Sequence, residues 1–105
     1  MRGQKITAEI DIIAYDESTL VFVEVKTRRS DDLFAPEHSV DLRKQRHIAR
    51  AAYRYRQLNS VMDEDHRYDV VTVLAEGEED RIELMRSYFD ERVFHRGRYF
   101  QRWDS

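Results

Sequence analysis

The stretch AEIDIIAYDESTLVFVEVKT, residues 8–27, decides the fold. Its first part, residues 8–15, alternates polar and apolar side chains before it becomes apolar, which predicts a β-strand. Residues 16–19 (Asp-Glu-Ser-Thr) are typical of a turn, and residues 20–27, rich in Val and Phe, predict a second strand. The two strands should therefore pair as a β-hairpin.

Alternation along this hairpin predicts which side chains share a face. Successive side chains of a strand point to opposite faces, so Glu9 lies beside Asp11, and Glu24 lies beside Lys26. The positions between them are apolar, and we expect them to form the core: Ala8, Ile10, Ile12, Ala14, Val21, Val23 and Val25. Two pairing registers keep the charged side chains on one face and the apolar ones on the other. One places Asp11 opposite Glu24, and the other places Glu9 opposite Glu24. Opposed Cβ atoms lie about 5 Å apart, so both registers bring two carboxylates together.

Three further elements follow a polar loop at residues 28–40. Apolar residues spaced by three and four predict an amphipathic helix over residues 41–58, with Ser39 or Asp41 as its N-cap. Residues 68–75 predict a third strand and residues 81–89 a fourth, with a helix as the alternative for the last. The order strand, strand, helix, strand, strand predicts an α/β (α+β) domain around one mixed sheet.

Length and composition narrow the class of protein. A chain of 105 residues is the size of one domain. The absence of cysteine excludes disulfides, zinc fingers and iron–sulfur sites, so a metal site would hold a hard ion such as Mg²⁺ or Mn²⁺. The longest apolar run, residues 20–23, is too short to span a membrane, and no signal core follows the N-terminus. We therefore expect a cytoplasmic protein without a membrane partner.

Charge is unevenly distributed along the chain. The net charge is −3, which argues mildly against non-specific binding to nucleic acid. Residues 26–56 nevertheless contain nine Lys or Arg against four acids, and residues 63–83 contain nine acids against two Arg. This pattern indicates either two solvated faces of opposite sign or one basic face that meets phosphate.

The paired carboxylates of the hairpin are the candidate active site. Two carboxylates inside an apolar hairpin repel each other and are costly to desolvate, and a divalent cation would offset that cost. The predicted metal ligands are Asp11, Glu24 and the backbone carbonyl of Val25, with Glu9 as a further candidate. Lys26, two residues beyond Glu24, would hold or activate a metal-bound water as nucleophile.

Basic residues near the hairpin would bind the substrate of such a site. Arg28, Arg29 and Lys44 are placed to grip the phosphates on either side of a scissile bond. The alternative interpretation is an ion pair between Glu24 and Lys26 on a solvated face, with the other two acids merely exposed.

The hairpin also resembles the YraN-like family of small bacterial proteins. The resemblance is carried by residues 9–14 (Glu-Ile-Asp-Ile-Ile-Ala) and 20–28 (Leu-Val-Phe-Val-Glu-Val-Lys-Thr-Arg), and it continues more weakly to about residue 75. It implies a restriction-endonuclease-like fold, shared with Holliday-junction resolvases, and catalytic roles for Asp11, Glu24 and Lys26. Family members usually carry an N-terminal helix ahead of this run. Only seven residues precede Ala8, so we expect that helix to be missing here.

One residue of the predicted helix invites a comparison with other nucleases. Some carry Gln-x-x-x-Tyr on this helix, and Gln45 matches the first position. Residue 49 is Ala rather than Tyr, so the motif is absent. We nevertheless expect Gln45 to contact nucleic acid.

Pattern and resemblance together predict a Mg²⁺- or Mn²⁺-dependent endonuclease that hydrolyses DNA phosphodiester bonds, with branched DNA as one candidate substrate. One alternative is a nucleic-acid-binding module without catalysis. Another is an oligomeric interaction protein, such as a homodimer, in which a partner chain buries an uncovered sheet face. Substitution of Asp11 by Asn would abolish cleavage but leave simple binding intact.

The C-terminal part of the chain is set apart by its composition. Residues 8–89 form the predicted nuclease-like core, and residues 90–105 form an extension. Residues 86–103 contain six aromatic residues and five Arg, which predict either packing over an exposed sheet face or stacking on bases. The four His have no metal-ligand spacing and are interpreted as surface residues. Asp69, beside Arg67 on the third strand, is interpreted as part of a structural ion pair or as an edge residue rather than as a catalytic residue.

Overall fold

A computed structural model describes residues 10–29, 40–76 and 79–95. The elements are β1 (Ile12–Asp16), β2 (Thr19–Arg29), α1 (Leu42–Leu58), β3 (His66–Glu76) and β4 (Glu79–Phe89). The strands form one sheet in the order β1-β2-β3-β4, with β2 and β3 parallel and the other pairs antiparallel. The predicted α/β class and element order are confirmed, and the architecture is consistent with a restriction-endonuclease-like fold. The region in which the family's N-terminal helix would lie is outside the described residues.

The β1–β2 hairpin adopts the first of the two predicted registers. Asp16 pairs with Thr19 and Ile12 with Val23, so Glu17 and Ser18 form the turn. Glu17 has a φ of 57°, which lies in the left-handed region of backbone conformation. Residues other than glycine adopt this conformation at a cost in free energy. Strand β1 begins at Ile12 rather than at the predicted residue 8, and Ala8 and Glu9 lie outside the described residues.

Helix α1 is the crossover that parallel pairing requires. Strands β2 and β3 run in the same direction, so no tight turn can join them, and the chain returns through α1. Asp41 is the N-cap: its Oδ1 accepts a hydrogen bond of 2.9 Å from the Lys44 amide. The helix buries Ile48, Ala52 and Tyr55 and contains no acidic residue. No helix in the described ranges is long and apolar enough to cross a membrane.

The core lies on the opposite sheet face from the one predicted. Helix α1 packs on Leu20 and Phe22 of β2 and on Tyr68 and Val70 of β3, and Phe22 meets Tyr55 edge-to-face at 5.9 Å. Leu20 and Phe22 share this face with Glu24, so the expectation of a core built on the opposite face was wrong, although Val21 of that face is itself buried. Alternation identifies which side chains share a face. It does not identify the face that a helix covers when both faces carry apolar residues.

The other face of the sheet, here called the outer face, is also apolar. Its side chains come from all four strands: Ile12, Val23, Val25, Val71, Val73, Ile82 and Leu84. Ile82 is 68% exposed and Leu84 is 50% exposed. Apolar residues on both faces are typical of parallel strands that lie within a layered fold.

The final strand completes the sheet, and the segment after it packs against the core. Residues 79–89 form β4, so the alternative of a helix in this region was wrong. Phe89 stacks on Tyr68 at 4.6 Å, and Val93 joins the core from the turn that follows. Residues 96–105 of the predicted extension lie outside the described residues.

The predicted structural ion pair on β3 is confirmed. Arg67 Nε donates to Asp69 Oδ1 at 3.1 Å, and its Nη2 donates to Asp16 Oδ2 at 3.0 Å. Asp69 is buried and also accepts from the amide of Ser87 at 2.9 Å. This network links β1, β3 and β4 away from the candidate site.

Candidate active site

Glu24 is the centre of the candidate site. It lies on β2, beside Val70 of β3, on the sheet face that helix α1 covers. Only 6% of the residue is exposed, so its carboxylate has lost most of its contact with water. Burying an ionised carboxylate is unfavourable unless charges or hydrogen bonds compensate it.

Asp11 approaches Glu24 from the neighbouring strand. It precedes β1 by one residue, and the register of the hairpin continues to place it opposite Glu24. The Val25 amide donates a hydrogen bond of 2.8 Å to Asp11 Oδ2, which holds the exposed carboxylate against β2. The predicted pairing of these two acids is what the structure shows.

Two lysines reach Glu24 from different elements. Lys26 Nζ, two residues further along β2, lies 3.7 Å from Glu24 Oε2. Lys44 Nζ, in the first turn of α1, lies 4.0 Å from the same oxygen. Both separations exceed the usual length of a charge-assisted hydrogen bond, so each lysine compensates the buried charge only in part.

The pKa of Glu24 is raised because its buried negative charge is only partly compensated. Burial raises the pKa above its usual range, the neighbouring charge of Asp11 raises it further, and the positive charges of Lys44 and Lys26 lower it. A hydrogen bond between the Asp11 and Glu24 carboxyl groups also favours the protonated form. A proton or a cation between the two groups would therefore relieve their repulsion.

The two carboxylates supply the type of oxygen ligand that a hard divalent ion prefers. Within residues 10–29, 40–76 and 79–95 no group of three or more His, Cys, Asp or Glu side chains is suited to a metal, so the described chain offers the two carboxylates of Asp11 and Glu24. Mg²⁺ is commonly held by one or two carboxylates, with water and substrate phosphate completing its shell. Glu9, the further candidate ligand, lies outside the described residues. The Val25 carbonyl stays a predicted ligand.

The predicted nucleic-acid contacts occupy two places. Arg28 and Arg29 end β2, and Lys44 stands at the start of α1 beside Glu24. Gln45 is buried there, and its Nε2 donates to the Val40 carbonyl at 2.7 Å. Gln45 Oε1 has no hydrogen-bond partner among the described residues. The contacts of these four residues, Arg28, Arg29, Lys44 and Gln45, with nucleic acid stay a prediction.

A second ionisable cluster, centred on Glu91, was missed by the sequence reasoning. Glu91 accepts hydrogen bonds from Tyr68 Oη and from His66 Nε2, the latter at 3.1 Å, and lies 3.9 Å from Arg56 Nη2. Burial raises the Glu91 pKa, but the bonds from His66 and Tyr68 outweigh it and lower the pKa. His66 was interpreted as a surface residue, which was wrong. Nothing in the local spacing connects residue 91 to residues 56, 66 and 68.

The region that forms the candidate site matches a protein family. The model of the family described as "Uncharacterised protein family UPF0102" matches residues 1–73. The chain belongs to the UPF0102 family. This confirms the resemblance to the YraN-like proteins, which are the UPF0102 family. Asp11, Glu24, Lys26 and Lys44 all lie within the matched region.

Individual UPF0102 relatives support the assignment. The UPF0102 proteins of Desulfosudis oleivorans and Syntrophus aciditrophicus are 45% and 44% identical to this chain over 82 residues, which is 78% of the chain. The UPF0102 protein of Bacteroides thetaiotaomicron is 45% identical over 82 residues, 77% of the chain. The alignments cover 65%, 65% and 66% of the three relatives, so the chain spans about two thirds of their length.

Proposed function

We propose that this UPF0102 protein hydrolyses DNA phosphodiester bonds with a divalent metal ion held by Asp11 and Glu24. The observation that carries the proposal is the buried Glu24 carboxylate, which has a second carboxylate beside it. Within the described ranges the two lysines that face it lie 3.7 and 4.0 Å away and neutralise it only in part. Such an arrangement destabilises the folded protein unless a ligand uses it. A carboxylate whose pKa is raised by burial and by a neighbouring acid, as that of Glu24 is, is typical of catalytic sites.

Each residue has a distinct role in this proposal. Asp11 and Glu24 would bind Mg²⁺ or Mn²⁺, and the bound ion would polarise a phosphoryl oxygen and lower the pKa of a water. Lys26 is the ammonium on the same strand face and would stabilise negative charge at the reacting phosphate. Lys44, which faces Glu24 from α1, would bind a neighbouring phosphate together with Arg28 and Arg29.

Metal titration tests the proposal directly. Calorimetric titration with Mn²⁺ should show binding to the wild type and at least a tenfold loss of affinity in Glu24→Gln. Glu83→Gln is the matched control, because Glu83 is an exposed acid on β4. Equal Mn²⁺ affinity in all three proteins would refute a site at Glu24.

Cleavage assays test the reaction itself. Linear, nicked and branched DNA with Mg²⁺ or Mn²⁺ should be cut by the wild type and left intact by Asp11→Asn. A folded wild-type protein that binds Mn²⁺ but cuts none of the three substrates would refute hydrolysis. The comparison among the three also tests the preference for branched DNA.

A second candidate function is nucleic-acid binding without catalysis. It is favoured by helix α1, which carries six Lys or Arg and no acid. Binding would then weaken steeply with salt and would be the same in Asp11→Asn as in the wild type. The homodimer stays a prediction, and sedimentation at several concentrations would separate it from a monomer.

A further inference from the structure

We propose that a cavity beside helix α1, distant from the two carboxylates, binds a nucleoside monophosphate unit. The cavity has a volume of about 720 Å³ and lies between α1 and the segment that follows β4. Its lining includes Arg50, Tyr53, Arg54, Arg56, Glu91 and Phe94. A volume of this size is typical of small-molecule sites and exceeds what a bare phosphate needs.

The charge of the lining favours an anion. Arg50 and Arg54 are one helical turn apart and therefore neighbours on the helix surface. Neither forms an ion pair with an acid in the described part of the chain, and α1 itself contains no acid that could neutralise them. Two guanidinium groups so placed can bind one phosphate through several donors.

The lining also presents aromatic rings. Tyr53 is 48% exposed and Phe94 is 37% exposed, although both are large and apolar. Each ring has a guanidinium near its face: Arg56 lies 5.7 Å from the Tyr53 ring and Arg50 lies 5.6 Å from the Phe94 ring. Accessible rings beside arginines are the combination on which nucleobases stack. A phosphate and a base together require a nucleotide.

The negative charge of Glu91 limits the number of phosphates that the ligand can carry. Glu91 lines the same cavity and is held ionised by His66 and Tyr68. Its negative charge would repel a second or third phosphate, so a ligand with one phosphate, bound by Arg50 and Arg54, is preferred. Arg56 is buried against Glu91 and Tyr68 and serves to hold that wall of the cavity.

The cavity is a separate site from the candidate active site. Arg54 follows Lys44 by ten residues, which is about 15 Å along a helix axis. The inference therefore does not depend on the proposed hydrolysis. The nucleotide could come from either of two sources: a free nucleoside monophosphate, or an unpaired nucleotide within a strand.

The test uses four probes on the whole protein: dAMP, inorganic phosphate, a single-stranded (dA)8 and a blunt duplex of the same length. We expect dAMP to bind at least tenfold more tightly than phosphate. Tighter binding of (dA)8 than of dAMP and duplex would assign the site to an unpaired nucleotide, and equal binding of dAMP and (dA)8 would assign it to a free one. Equal binding of dAMP and phosphate, or no binding of dAMP, would overturn the proposal.

Two variants separate the cavity from general positive charge. Arg54→Gln should weaken dAMP binding at least tenfold, whereas Arg43→Gln, which removes an exposed arginine outside the lining on the same helix, should change it less than twofold. Equal losses in the two variants would overturn the proposal, as would binding of an oligoglutamate as tight as that of (dA)8. Both arginines are exposed, and thermal melting confirms that each variant folds.

The outcome is independent of the carboxylate site. Asp11→Asn should bind dAMP as the wild type does, even if it binds no Mn²⁺. Loss of dAMP binding in Asp11→Asn with an intact fold would contradict a separate nucleotide site. If the wild type binds dAMP but does not bind Mn²⁺, the proposed hydrolysis is refuted and the proposed nucleotide site is not.

Discussion

The Val25 amide donates a hydrogen bond of 2.8 Å to Oδ2 of Asp11. A side chain, rather than the backbone of a paired strand, thus satisfies this donor of β2. The bond fixes Asp11 on the neighbouring chain segment, opposite the buried Glu24. The same carboxylate therefore has an observed structural contact and a proposed metal-binding role, and two substitutions can separate them.

Asp11→Ala and Asp11→Asn should differ in stability but not in metal binding. Alanine removes the acceptor of the Val25 amide and should lower the free energy of unfolding by about 1 kcal/mol. Asparagine keeps a carbonyl oxygen for this bond and should cost less, while both variants lose the charge that would bind Mn²⁺. Urea denaturation and Mn²⁺ titration measure the two effects, and equal stability of the two variants would contradict the structural role of the bond.

Glu24→Gln should stabilise the protein at pH 8. Because burial raises the pKa of Glu24 in the folded state, ionised Glu24 destabilises the fold at pH values above that pKa. The variant should melt a few degrees higher, the change that about 1 kcal/mol produces in a domain of this size. The difference should shrink as the pH falls and wild-type Glu24 takes up its proton.

Thermal melting between pH 4 and pH 8 checks this result, with Glu83→Gln as the control that should not change the melting temperature. A variant that gains stability and loses Mn²⁺ affinity has the signature of a functional residue. If Glu24→Gln melts lower than the wild type at pH 8, the buried charge is compensated better than the structure indicates.

Lys44→Gln and Lys26→Gln should each raise the pKa of Glu24 further. Both lysines favour the ionised carboxylate from 4.0 and 3.7 Å, and each loss leaves the effects of burial and of Asp11 less opposed. Titration of the Glu24 carboxyl carbon by NMR measures the change. An unchanged pKa in both variants would show that the lysines point elsewhere in solution.

Glu91→Gln should destabilise the protein at neutral pH. Glutamine cannot satisfy His66, Tyr68 and Arg56 as the carboxylate does, and the loss should be about 1–3 kcal/mol. Since the folded-state pKa of Glu91 is lowered, its stabilisation is present above the usual pKa of 4.5 and is lost as the pH falls through the lowered value.

Urea unfolding of Glu91→Gln at pH 7 and at acid pH measures both parts of this prediction. The difference from the wild type should be largest at pH 7 and should disappear in acid. A constant difference at all pH values would point to packing rather than charge.

The hairpin and its register were predictable because they are encoded locally. A four-residue turn sequence and the spacing of the charged residues at positions 9, 11, 24 and 26 restricted the pairing to two registers, and the observed one places Asp11 with Glu24. Helix α1 was predictable within one residue, since its apolar spacing and the N-cap Asp41 lie in adjacent sequence.

The covered face of the sheet was not predictable from the same pattern. Phe22 and Val23 are both apolar, and only the packing of Tyr55 against Phe22 decides between them. The Glu91 cluster was unpredictable for a related reason. Its members come from α1, β3 and the turn after β4, and no periodicity connects residues on three elements.

Strands β2 and β3 pair in parallel from Leu20 and His66 onward, so the contact of Lys44 with Glu24 depends on the crossover through α1. The hairpin can form from local contacts, but Lys44 reaches Glu24 only after the whole crossover has closed, with its loop-closure entropy. A local opening of α1 would remove Lys44 from this site and expose Glu24 to water, while Asp11 and Glu24 would stay together on the hairpin. A cation that binds the two carboxylates more tightly when α1 is closed would make this opening rarer as its concentration rises.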